Sequence, residues 1–391
     1  MVEDVNFLKD SPDAVQRRFD IYKGLGFGTL RTSIAWRHQA LTEGDWSGAA
    51  TLQPYLARAI ANGFRLKMSV ETLGAPPGWF LRAHPDAGMR NAADEVSQND
   101  LSLWYPGLRP LLADTADRLF GRLSEMGVFG AIDWIFADLG PASEPIYPAA
   151  WTQGKASCQE ATPWFYGDHA RAAFARTMTR KYRAIEAANG AWGTNFRDWP
   201  EVRLPLPGVQ AGGLWKDVLV WYRDSKRAFI RWQIANYQRA LAAFAPAAAR
   251  PGLLIMVPGR HIQPQEWRHA VAAGMPDCSL AIMTDTEFLL DLAKELGCGL
   301  QYTADENADE VAYLCAYMRG HANTQTLWGE NVGTMPVAGR PNHIADVILA
   351  NGLYGMDYVR SSRLFEADGV TPNGVVGELA VACRRLRQAW Q

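Results

Sequence analysis

No run of about 18 apolar residues occurs in the 391-residue chain, so no membrane-spanning helix and no membrane partner are expected. The five cysteines, Cys158, Cys278, Cys298, Cys315 and Cys383, are odd in number and form no CxxC pair. That excludes a zinc ribbon, argues against a disulfide framework, and leaves reduced, mostly buried thiols as the expectation. The seven histidines include no HxH or HxxxH pair, so no metal site is expected, and no motif implies a cofactor. Charge of one sign is also missing. Lys and Arg number 39 against 41 Asp and Glu, with no long block of either and no basic stripe, which sets nucleic acid aside as a partner. Met1 to Asp10 lacks a basic segment leading into an apolar run, so no signal peptide and a cytoplasmic location are expected. There is no GxSxG elbow and no repeat. The glycine-rich GLGFG run, Gly24 to Gly28, precedes a strand rather than following one, and reads as a helix C-cap instead of a phosphate loop.

What the chain does have is apolar and aromatic mass: 48% hydrophobic residues, with 15 Trp, 13 Tyr and 15 Phe. Rings of that number fill a core, and they also suit a cleft in which flat sugar faces stack. Short β-rich runs alternate with helical patterns, the signature of βα units around a parallel sheet. Candidate strands fall at 28–36, 65–72, a weak one near 100–104, then 131–139, 253–257, 279–284, 299–304 and 324–328. These eight predict an α/β fold, a (β/α)8 TIM barrel, as one catalytic domain over 1–391. A long helical loop subdomain, 141–250, follows strand four, and 353–391 is a C-terminal extension. The active site of such a barrel lies on the loops that follow the strands.

Those loops carry polar residues. Strand one leads into Trp36, Arg37 and His38; strand two ends at Glu71; strand four runs into DLGPASEPIYP with Asp138 and Glu144. On this count strand seven leads into Asp305, Glu306 and Asn307, and strand eight into Glu330 and Asn331. Carboxylates converging on one rim among aromatic rings are what glycoside hydrolysis requires. One acid protonates the leaving oxygen, and a second carboxylate attacks the anomeric carbon or activates water. Any single Glu after a strand is more often a helix-start or salt-bridge residue, and Glu71 is expected to be one. Trp36, Trp79, Tyr302 and Trp328 are candidate stacking platforms, each as easily core; Arg31, Arg37 and Asn331 could bond sugar hydroxyls.

Several segments resemble known families. DLGPASEPIYPAAW (Asp138 to Trp151), LQYTADEN, WGENVG and YGMDYVRSSRLFE are similar, in order, to segments of β-amylases, glycoside hydrolase family 14. RTSIAW, GAPPGWFLRAHPD and KYRAIEAANGAWGTNF look like family 42 β-galactosidases. Both resemblances imply a barrel with one carboxylate after strand four and another after strand seven. They make Glu144 the proton donor and Glu306 its partner, and place Glu330 and Asn331 on the sugar-binding floor. They imply an exo-acting hydrolase of oligo- or polysaccharides that needs no cofactor. Where β-amylases present a gripping Asp and His, this sequence has Ser33 and Glu71, so efficient starch hydrolysis is not expected. A non-catalytic carbohydrate-binding barrel and a β-amylase-type inverting α-glucan hydrolase are the alternatives; stereochemical outcome and oligomeric state stay open.

Overall fold

The computed structural model describes residues 2–3, 11–48, 52–74, 76–146, 163–206, 212–258, 285–331, 339–358, 364–366 and 368–389. Eight parallel strands follow one another around a single sheet: β1 (Val2–Glu3), β2 (Thr29–Ala35), β3 (Arg65–Glu71), β4 (Ile132–Phe136), β5 (Gly252–Val257), β6 (Gly299–Tyr302), β7 (Leu327–Glu330) and β8 (Gly355–Asp357). The sheet curls far enough for the Arg31 guanidinium of β2 to reach Asp357 of β8 at 3.3 Å across the interior. This is the expected α/β barrel.

The strand count differs from the one read in the sequence. The segment near 100–104 is not a barrel strand: Val96–Leu101 pairs antiparallel with Gly88–Arg90 in a separate hairpin within the long β3–β4 connection. The 353–359 segment, read as an extension, instead supplies β8, paired with β7 through Asp357↔Glu330. At the other end Val2–Glu3 joins β2. The candidate strand at 279–284, together with Cys158 and Cys278, lies outside the described residues. Glu144 still follows the fourth strand. Glu306, however, follows the sixth strand, and Glu330 closes the seventh.

Alternation along the strands sorts side chains into two layers. Leu30 and Ile34, Leu66, Met68 and Val70, Leu253, Ile255 and Val257, and Leu300 and Tyr302 point outward into one core beneath the surrounding helices. The inward set is different. Phe136, Leu254 and Met256 form a small cluster with Trp134 and Trp328. Above it sit Arg31, Lys67, Gln301, Glu330 and Asp357, all buried. The two tryptophans fill the floor because the neighbouring strands begin with glycine: a Cβ on Gly252 would overlap the Trp134 ring, and one on Gly355 the Trp328 ring.

The helix Pro12–Leu25 starts at Ser11, whose hydroxyl accepts the Ala14 N–H at 3.2 Å, and ends at Gly26 with φ 89°. Gly26 is the αL C-cap expected of the GLGFG run. After β4 the chain forms helices Asp168–Tyr182 and Ile185–Trp192, then a 33-residue helix, Gly212–Phe244. The first turns of this long helix pack with Phe174 and Trp192 in a second core, while Ile230, Ile234, Tyr237 and Leu241 pack into the barrel's outer core. One rigid rod thus ties the inserted helices to the barrel wall. No described helix is long and apolar enough to cross a membrane, and the described cysteines Cys298, Cys315 and Cys383 are free and buried.

Candidate active site

Glu144 stands on a tight, strained turn. Ala142 and Ser143 both adopt left-handed φ, 57° and 66°, which costs a non-glycine residue about 1–3 kcal/mol. A Cβ on Gly140 would run into the backbone carbonyl of Glu144, so the chain can fold back this closely only with glycine there. The turn delivers the Glu144 carboxylate to Thr303, whose hydroxyl donates to Oε1 at 2.7 Å. Thr303 directly follows β6, and Tyr302 of that strand is in register with Gly329. That pair ends the ladder between β6 and β7. The Asp305 N–H also donates to the Glu330 carbonyl at 3.1 Å, drawing the loop after β6 against the end of β7.

Glu330 is 8% exposed and firmly held. Its Oε2 accepts from Arg31 at 2.6 Å and from the Gln301 amide. Gln301 donates as well to Asp357 at 2.9 Å, and its own oxygen accepts from Lys67. Glu306 lies 3.5 Å from Arg340, and its carbonyl accepts from His343 at 2.9 Å. Asp305 is fully buried. Burial, then the charges of Glu306, Glu330 and Asp357, hold its carboxyl well above the usual range. Thr303 thus ties Glu144 to the loop after β6, which carries Glu306 and is drawn against Glu330 at the end of β7.

A second pair of acids lies on the rim between β3 and β4. Asp138 accepts three successive backbone N–H groups, from Thr72 at 2.7 Å, Leu73 at 2.5 Å and Gly74 at 3.1 Å, which clamps the loop after β3. Burial nonetheless raises Asp138 to about 6. Glu71 ends β3, with Arg37 at 3.9 Å. Burial and the Asp138 charge push it up to about 7, against the opposing pull of Arg37, Arg31 and Ser33. Folding thus raises both pKa values. The stability they contribute is complete below about pH 4 and fades as pH climbs through 6 to 7. Melting temperature should fall across that window, and Glu71→Gln should flatten part of the fall. Parallel melting curves for wild type and variant, stepped from pH 4.5 to 7.5, would refute this assignment.

Three of the expected stacking platforms are misplaced. Tyr302 faces outward, with no exposure and its hydroxyl on Glu310, because it has the opposite strand parity from Gln301 and Thr303. Trp328 lies on the barrel floor, 4.2 Å below the Lys67 ammonium and edge-on to Tyr354. Trp36 is 2% exposed and packs on Phe80, with ring centroids 5.1 Å apart. Trp79 is half-buried, edge-on to Trp36 with ring centroids 6.4 Å apart, and its indole N–H donates to the Ala40 carbonyl at 3.0 Å. Asn331 is buried, with its N–H on the Asp357 carbonyl at 3.3 Å, while Arg37 is exposed on the rim. Thr303, Gln301, Lys67 and Asp357 went unread. Their signal was a charged or amide residue at the inward parity of otherwise apolar strands. Among the described residues no cluster of His, Cys, Asp or Glu could hold a metal ion.

Comparisons with known proteins agree with this geometry. The family described as β-galactosidase, glycoside hydrolase family 42, matches residues 151–330. A thermophilic β-amylase from Thermoanaerobacterium thermosulfurigenes is 24% identical over 353 residues, covering 78% of this chain and 61% of the relative. The chain thus spans less than two thirds of that relative's length. Among solved structures, the catalytic domain of a Paenibacillus polymyxa β-amylase superposes with a TM-score of 0.79 at 18% identity, covering 99% of this chain and 97% of that one. A β-galactosidase from the psychrophilic Marinomonas ef1 gives 0.67 at 14% identity, over 99% and 59% of the two chains. The chain is a β-amylase-like and family 42-like α/β barrel.

Proposed function

We propose that the protein hydrolyses O-glycosidic bonds of oligo- or polysaccharides, with Glu144 as proton donor and Glu330 as the second carboxylate. The observation that supports this reading is the Thr303–Glu144 hydrogen bond, which ties a carboxylate from the loop after the fourth strand to the loop after the sixth, itself hydrogen-bonded to the Glu330 carbonyl that ends the seventh. A glycosidase needs two carboxyls flanking the scissile bond, about 5–5.5 Å apart for retention or 6.5–9.5 Å for inversion. Family and structural relatives described as β-amylases and β-galactosidases support the same chemistry. Against a purely sugar-binding barrel stands the cost of this arrangement: a strained turn under Glu144, and a buried Glu330 that needs two donors on one oxygen.

The test is turnover of aryl β-galactosides, aryl glucosides and natural oligosaccharides, with the anomer of the first product read by proton NMR. No turnover of any member would favour the binding-only barrel. Starch should be a poor substrate, because Glu71 is engaged with Arg37 and Ser33 at a place where gripping an α-glucan would need other groups. Losing one buried hydrogen-bonding contact of that kind can cost about 10⁴-fold in specificity. Rapid maltose release from soluble starch would contradict this and favour the β-amylase-type inverting reading. Action at chain ends is part of the proposal, and product lengths over time decide it.

A further inference from the structure

Among the described residues, Lys67 is a cation of the barrel interior that hydrogen-bonds neither Glu144 nor Glu330. It is fully buried, with its ammonium 4.9 Å over the Phe136 ring and 4.2 Å over Trp328. Its polar neighbours are the Gln301 oxygen and, at 3.8 Å, Asp357. A group that cannot reach the mouth gains nothing from substrate, so its value must lie in what it holds. Gln301 is the link. With the amide oxygen on Lys67, the amide nitrogen faces Glu330 and Asp357 and donates to both. A flipped amide would aim its oxygen at two carboxylates and its NH2 group at an ammonium, unfavourable on both sides.

We propose that Lys67 is a positioning residue that acts through Gln301: it fixes the amide so that Nε2 grips Glu330, and its charge helps keep Glu330 ionised. The inference rests on the reading of Glu330 as the second catalytic carboxylate. The groups facing Glu330 are Arg31 from β2, Lys67 from β3, Gln301 from β6, Asp357 from β8, and Asp305 from the loop after β6, itself beside Glu306. Arg31 and Lys67 are the cations beside Glu330 and Asp357, so removing Lys67 takes away positive charge and favours protonating Glu330. Burial pulls Lys67 down to about 7 against Asp357 and Glu330, which leaves it charged over the acidic range in which a carboxylate titrates.

The experiment is the pH profile of kcat/KM on one aryl glycoside for wild type, Lys67→Met, Lys67→Gln, Gln301→Leu, the Lys67→Met/Gln301→Leu double variant and Glu330→Gln. Lys67→Met should move the acidic limb up by about one pH unit or more and lower kcat about tenfold with little change in KM. Lys67→Gln, which keeps a donor to Gln301 without the charge, should shift less and serves if the Met variant does not fold. Adding Lys67→Met to Gln301→Leu should change kcat on the pH plateau by less than about twofold, because the amide route is already cut, while the lost charge should still move the acidic limb. A merely structural lysine would lower the melting temperature and leave the limb in place. An unmoved limb in folded Lys67 variants, with Glu330→Gln inactive, overturns this inference alone; an active Glu330→Gln overturns the site reading beneath it.

Discussion

Glu144→Gln is expected to lower kcat/KM about 10²- to 10⁴-fold on substrates whose leaving group is a sugar alcohol, while the fold stays intact. Glutamine keeps the shape and an acceptor for the Thr303 hydroxyl, so the strained turn at Ala142 and Ser143 should keep its place. What disappears is the transferable proton. A dinitrophenyl glycoside needs little protonation to depart, so its first bond cleavage should be nearly spared if the mechanism retains configuration. Comparing the variant on a dinitrophenyl glycoside and on a disaccharide reads this directly. Equal losses on both would mean that Glu144 positions the substrate instead of donating a proton.

Glu330→Ala should be more damaging, by about 10⁴-fold or more on every substrate, because no leaving group bypasses the second carboxylate. The protein should still fold. Arg31 retains Asp357 at 3.3 Å, and Gln301 retains its 2.9 Å bond to the same group, so neither donor is stranded. If Glu330 is a nucleophile, azide should restore turnover of an activated substrate and yield a glycosyl azide; if it activates water, azide products should not form with that stereochemistry. Wild-type-like rates in a folded Glu330→Ala would remove it from the mechanism.

The architecture was legible where strands are long and apolar. RLKMSVE and GLLIMV occupy β3 and β5 almost as read, and the DLGPASE turn sits after the fourth strand as expected. The ends of the barrel were not legible, for a physical reason: β1 has two residues and β8 three, too few for any periodicity to show. The VSQNDL segment mixes apolar and polar positions as a barrel strand could, yet pairs only with its own hairpin partner. Those errors moved the count by one, so Glu306 follows the sixth strand and Glu330 ends the seventh. Aromatic placement failed differently. Nearness to a strand end says nothing about which face a ring takes, and one residue of parity put Tyr302 outside the barrel while Thr303 reached Glu144.

The most direct measurement sets Glu306→Gln beside Glu330→Gln on a single substrate that the wild type turns over, with circular dichroism to confirm that both fold. On the proposed assignment Glu306, which lies 3.5 Å from Arg340, is not the second carboxylate, so its variant should keep kcat/KM within about tenfold of wild type, while Glu330→Gln should lose about 10³-fold or more. A dead Glu306→Gln with an active Glu330→Gln would contradict the account at its centre.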